Sequence, residues 1–212
     1  MPIKHHLHEP TLLAYATGNL PEAVNLVVAA HVSLCDECRA LAETFDTVGG
    51  ALLEETAAVG LEQDSLDRAL ARIETEAPAP RAPVSPGTLP APVQAYVGGD
   101  LSAVKWRPVG MGVKQALLPT SDTASARLLL IPAGAAIPDH SHSGQEFTLV
   151  LQGAFADEED RFARGDIEIA DDKVHHQPVA DIGEDCICLA VTDAPLKFSG
   201  WLPRMVQRFV GI

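Results

Sequence analysis

Residues 134–153 read GAAIPDHSHSGQEFTLVLQG, and the period of this stretch decides how the second half of the chain folds. Side chains along a strand alternate between its faces, so His140 and His142 share one face. Glu146, four residues after His142, keeps the same parity if pairing is regular. Two imidazoles and a carboxylate then converge on one side of a sheet, a donor set suited to a divalent metal. Gly134 and Gly153 bracket the stretch where turns or close backbone approach need a residue without Cβ.

Working outward, the runs ARLLLIPAG (126–134), GDIEIA (165–170) and DCICLAVTD (185–193) are short, β-type and separated by Gly, Pro and Asp clusters. No long helical pattern intervenes, so an antiparallel barrel or sandwich is expected rather than a βαβ sheet. Cys186 and Cys188 share one strand face, either as small core hydrophobes or as oxidisable thiols near a barrel metal. The acidic run ADEEDRF (156–162) reads as a solvated hairpin, and Trp106 and Trp201 as packing residues.

Upstream, the composition breaks at APAPRAPVSPGTLPAP (77–92), where six of sixteen residues are Pro and Arg81 is the one charge. Proline lacks an amide donor and fixes φ, so this segment reads as an extended linker. Before it the pattern is helical. Residues 10–17 form a first helix that stops at Gly18. A second starts at Pro21 and is apolar around most of its circumference, through Ala23, Val24, Leu26, Val27, Val28, Ala30 and Val32. Such a helix needs cover on several sides, from a compact fold or from a partner. A third runs from about Cys35 to Glu55, with Gly49-Gly50 placed to kink or end it, and an amphipathic fourth covers DSLDRALARIETE (64–76). The expected class is α+β in separate domains: a small metal-binding helical bundle (1–76), the linker (77–92) and an antiparallel β-barrel (93–212).

Between the second and third helices lies HVSLCDEC (31–38). On or near a helix His31, Cys35 and Cys38 are neighbours, and thiolate with imidazole favours zinc in a four-coordinate structural site. With no third Cys nearby, the fourth ligand falls to one of His5, His6 and His8. A bare CxxC serves redox and metal sites alike, but HxxxCxxC beside a His-rich N-terminus points to zinc, whose binding would add directly to the folding free energy of a small bundle.

The net charge is −14, with 4 Lys/Arg against 13 Asp/Glu in residues 1–76. Phosphate contacts need a basic face, so direct binding to DNA is not expected, whereas a basic partner surface is compatible. No apolar run approaches the roughly 20 residues that span a bilayer. MPIKHHLHEP lacks a secretory h-region, and the paired cysteines suit a reducing compartment, so a cytoplasmic protein is expected.

HVSLCDEC, preceded about 25 residues earlier by HHLHEPTLLAYATG, resembles the zinc-binding anti-sigma motif. That resemblance implies His6, His31, Cys35 and Cys38 as the ligands, leaving His5 and His8 solvated. Residues 134–153 match the first cupin motif at every fixed position. FARGD (162–166) resembles the turn of the second, with Ala163 in place of the usual Pro. The cupin resemblance covers roughly residues 105–195 and implies a second divalent metal on His140, His142, Glu146 and His176, zinc foremost but with Mn, Fe or Ni compatible; His175 would point outward. The two motifs in this order resemble the ChrR-type anti-sigma factors. Membership implies a regulator rather than an enzyme, which binds an extracytoplasmic-function sigma factor 1:1 through its zinc-folded N-terminal domain. It implies release on an oxidative signal, such as singlet oxygen or an organic peroxide, that needs the cupin. Helices 2 and 4 would then bury apolar surface against the sigma factor. The alternative is a metal-dependent cupin enzyme, a dioxygenase or isomerase, with an accessory zinc module.

Overall fold

The computed structural model describes residues 2–75, 86–138, 144–171 and 177–193, and the backbone of 140–141, 175–176 and 197–198. His142, Trp201, most of the linker and the side chains of His140 and His176 therefore lie outside the described residues.

Four helices come first: α1 (Glu9–Ala16), α2 (Glu22–Val32), α3 (Asp36–Glu54) and α4 (Ser65–Thr75). Pro10 sits in the first turn of α1, where its missing N–H costs nothing, and Gly18 follows the helix with φ of +69°. The α2 helix stops at Val32. Ser33 Oγ turns back onto the Ala30 carbonyl at 2.7 Å, and the amides of Leu34 and Cys35 both cap the His31 carbonyl. Helix α3 runs unbroken through Gly49-Gly50, where a kink or stop was expected. Two glycines weaken a helix by about 1 kcal/mol each but do not remove its hydrogen bonds.

A fifth helix, α5 (Ala91–Val97), begins inside the stretch read as linker. Pro90 is its N-cap and Pro92 lies in its first turn, positions where proline favours a helix start rather than an extended chain.

The rest is antiparallel sheet. Strands β1 (Arg107–Gly110), β2 (Val113–Leu118), β3 (Ser125–Ile131), β5 (Glu146–Gln152), β8 (Ile167–Ala170) and β11 (Cys186–Thr192) form one six-stranded sheet in the order β1-β2-β3-β11-β5-β8. Strands β6 (Ala154–Ala156), β7 (Arg161–Ala163) and β10 (Val179–Ala180) form a second sheet. A third contains β4 (His140–Ser141), β9 (His175–His176) and β12 (Lys197–Phe198). The four β runs legible in the sequence are β3, β5, β8 and β11.

What covers α2 is the sheet. Ala23, Val24, Leu26, Val27, Val28 and Ala30 are all buried, and they share one apolar cluster with Leu89 just ahead of α5, Val93 within it, and Leu128, Leu149, Leu189 and Val191 of the sheet. Helix α2 therefore spends its apolar surface inside this chain, which corrects the expectation that it docks on a partner. Polar contacts pin the same seam. Glu22, in the first turn of α2, accepts hydrogen bonds from the Tyr96 hydroxyl and the Ser121 amide, each at 2.8 Å. By contrast α4 buries none of its residues: Leu66, Leu70 and Ile73 are exposed, as are Val48, Leu52 and Leu53 of α3.

Candidate metal centre

The break between α2 and α3 builds the first site. Cys35 has extended φ and ψ and is the N-cap of α3, its Sγ accepting the Cys38 amide at 3.4 Å. A thiolate there faces the positive end of the helix. Cys38 lies one turn into α3, and His31 lies in the last turn of α2. His6 arrives from the extended segment ahead of α1.

His31 Nε2 lies 3.3 Å from Cys38 Sγ, and His6 Nδ1 lies 3.3 Å from Cys35 Sγ and 3.7 Å from Cys38 Sγ. The four ligand atoms all fall within 4.8 Å of one another. Tetrahedral zinc, with Zn–S of about 2.3 Å and Zn–N of about 2.0 Å, separates its donors by roughly 3.3–3.8 Å. The four side chains thus fit a four-coordinate metal with small adjustments. None of the four cysteines of the chain is in a disulfide.

Burial sets the protonation of the donors at this point. Burial drives the His31 pKa down to about 4, helped by the charge of His6, so the ring is neutral and able to ligate. Burial pushes the Cys38 thiol up to about 11, with Cys35 and Glu37 adding to the rise. A metal held here would displace that proton. The second nitrogen of His6 faces Glu37 Oε2 at 3.5 Å, the kind of carboxylate that orients a ligating imidazole. His31 Nδ1 is buried without a well-formed hydrogen bond, although the Gly165 carbonyl acts on the ring and opposes the fall in its pKa. A cleft of about 510 Å³ opens beside His6 and Cys35, lined also by Ile3, Glu37 and Arg164.

His8 is exposed at the start of α1, as expected. His5 is not a free surface residue. Its ring packs on Phe162 at 4.3 Å, and Nε2 contacts Asp160 Oδ2 at 3.1 Å. The acidic hairpin is accordingly solvated at its tip but meets His5 at its base.

In the barrel, the β4–β9 register sets His140 directly opposite His176, and Ser141 opposite His175. Glu146 opens β5 and is buried, opposite Ala170 of β8 and Thr192 of β11. Cys186 and Cys188 are both fully buried, their sulfurs 3.5 Å apart, in a second apolar cluster with Val150, Phe155 and Phe162. The Cys188 thiol is pushed up by its hydrogen bond to Cys186, by burial and by the charges of Cys186, Glu168 and Glu146. The pair thus sits in the core, as the first of the two readings has it, and the burial that raises the Cys188 thiol keeps it protonated.

Residues 94–195 match the family described as the ChrR cupin-like domain. Across all of both chains, this sequence is 56% identical to the anti-sigma-E factor ChrR of Cereibacter sphaeroides. The chain belongs to the ChrR anti-sigma factors. The fold agrees with that membership. The crystal structure of Rhodobacter sphaeroides SigE in complex with the anti-sigma ChrR contains a chain that superposes with a TM-score of 0.79, covering 90% of this chain and 99% of that one. Two features of this ChrR-type chain escaped the sequence reading. One is the role of His5, adjacent to another His and indistinguishable from it in spacing. The other is Asp166, two of whose partners, the amides of Lys4 and His5, lie some 160 residues away. No helix among the described residues is long and apolar enough to cross a membrane.

Proposed function

We propose that this chain is an anti-sigma factor that holds an extracytoplasmic-function sigma factor in a 1:1 complex through its N-terminal helices, folded around zinc on His6, His31, Cys35 and Cys38. The observation that carries this reading is the full-length likeness to a ChrR chain seen in complex with SigE. The exposed apolar residues of α3 and α4 support it, since a helix with the amphipathic pattern of α4 and no buried residue in its own chain is suited to dock elsewhere. Because α2 is already covered, the sigma-binding surface is assigned to α3 and α4. The acidic balance of residues 1–76 suits a basic, nucleic-acid-binding partner.

The barrel is read as the sensing part, with a second metal on His140, His142, Glu146 and His176 and with release on an oxidative signal such as singlet oxygen or an organic peroxide. The cross-strand placement of His140 and His176 and the burial of Glu146 are compatible with that metal. Co-expression of the full chain with its sigma factor, followed by size exclusion and metal quantification, tests the reading. A 1:1 complex carrying zinc, lost in Leu70→Asp, is expected. A zinc-loaded chain that forms no complex would overturn the assignment for that sigma factor.

A further inference from the structure

The segment that carries His6 is held in place from outside the helical bundle, by the barrel. Asp166, in the turn between β7 and β8, is only 3% exposed. Its Oδ1 accepts the amides of Lys4 at 2.6 Å and His5 at 3.0 Å, while Oδ2 accepts the amide of Ala163 at 2.9 Å. In the reverse direction the His5 carbonyl accepts the Ile167 amide at 3.4 Å. One residue earlier in the turn, Gly165 has φ of +92°, and a Cβ there would stand 2.6 Å from Ile3 Cδ1. The turn is therefore shaped to receive Ile3, hydrogen-bonded to residues 4 and 5, and backed by Phe162 against His5. The next residue along is the ligand His6.

Residues 2–8 form neither helix nor strand. Without an anchor, His6 would sit on a loose chain end, and ordering that end would oppose ligation. We propose that the Gly165–Asp166 turn of the barrel is a positioning element for the metal ligand His6, so that metal retention by the helical part depends on the barrel remaining docked. The inference rests on the zinc reading above. It supplies a route from barrel to metal centre that bypasses the linker: any rearrangement that shifts residues 160–166 pulls on His6 directly.

The test uses the full-length, zinc-loaded protein and reads the rate of zinc transfer to an excess of a chelating dye, with circular dichroism to confirm folding. Asp166→Asn replaces one acceptor oxygen with a donor, and Gly165→Ala drives a methyl group into Ile3. Both are expected to release zinc on the order of tenfold faster, the loss of about one charge-assisted hydrogen bond or its equivalent. Gly153→Ala is the control: it has a positive φ of +68° and a Cβ contact of 2.9 Å to the Asp185 carbonyl, but no contact with residues 3–5. It should release zinc at the wild-type rate. Adding Ile3→Ala to Gly165→Ala should restore part of the slow release, which a merely weakened barrel would not do. Wild-type rates in Asp166→Asn and Gly165→Ala, or equal acceleration in Gly153→Ala, would overturn the inference while leaving the zinc site standing. A wild-type chain that retains no zinc would remove the zinc reading itself.

Discussion

His6, His31, Cys35 and Cys38 stand close enough to hold one metal together, their donor atoms all within 4.8 Å of one another. Cys38→Ser should therefore abolish stoichiometric metal rather than merely weaken it. It removes a large part of the ~10–16 kcal/mol that structural zinc sites supply. Metal quantification and loss of helical dichroism check this. Glu22 gives a pH-dependent prediction. Hydrogen bonds from the Tyr96 hydroxyl and then from the Ser121 amide hold its carboxyl below the ordinary range. In the window between that lowered value and the ordinary one, the unfolded chain binds more protons, so stability there rises with pH. The contribution is complete above the ordinary carboxylate range and is lost as pH falls through the lowered value. Denaturant titrations of wild type and Glu22→Gln between about pH 6 and pH 3 should show the difference between them shrinking as acid is added. At this scale the sequence was informative about the grouping of His31, Cys35 and Cys38, because HxxxCxxC is a short-range spacing. It was mute about Glu22, Asp166 and His5, whose partners come from the other half of the chain.

Among the elements, α3 and α4 make the clearest predictions. Gly49 and Gly50 stand in the interior of α3 with nothing within 4 Å of an added Cβ. Replacing either with Ala should stabilise the protein by about 0.5–1 kcal/mol, measured by denaturant unfolding, because it reduces the freedom of the unfolded chain and meets no clash. In α4, Leu66→Asp with Ile73→Asp should change thermal stability little, within about 0.5 kcal/mol for each exposed site, yet abolish sigma binding in a pull-down. Retained binding would show that α4 is not part of the contact surface. Periodicity located α1 to α4 and four of the strands, since both helix and strand leave a local apolar pattern. It missed α5, because Pro90 and Pro92 suggested a linker when they in fact start a helix.

Over the whole molecule, helical part and barrel share one apolar core through α2. Leu26→Ala should cost about 2–5 kcal/mol, as truncation of a buried leucine does. The loss should appear in barrel and helix signals alike. Thermal transitions followed by far-ultraviolet dichroism and by Trp fluorescence should coincide for the full chain. Two separated transitions would mean that the seam between α2 and the sheet contributes little. The sequence by itself determined the local chemistry of this protein: His31 and two cysteines grouped at a helix start, a strand bearing alternate histidines, an acidic helical half and an antiparallel half. These are short-range patterns, written in spacings of two, three and four residues. Only the tertiary structure decided that the all-round apolar α2 is covered by its own sheet and that Asp166 grips the segment carrying His6. Burial and hydrogen bonding between residues some 160 positions apart depend on how the two halves meet, and no local period encodes that meeting.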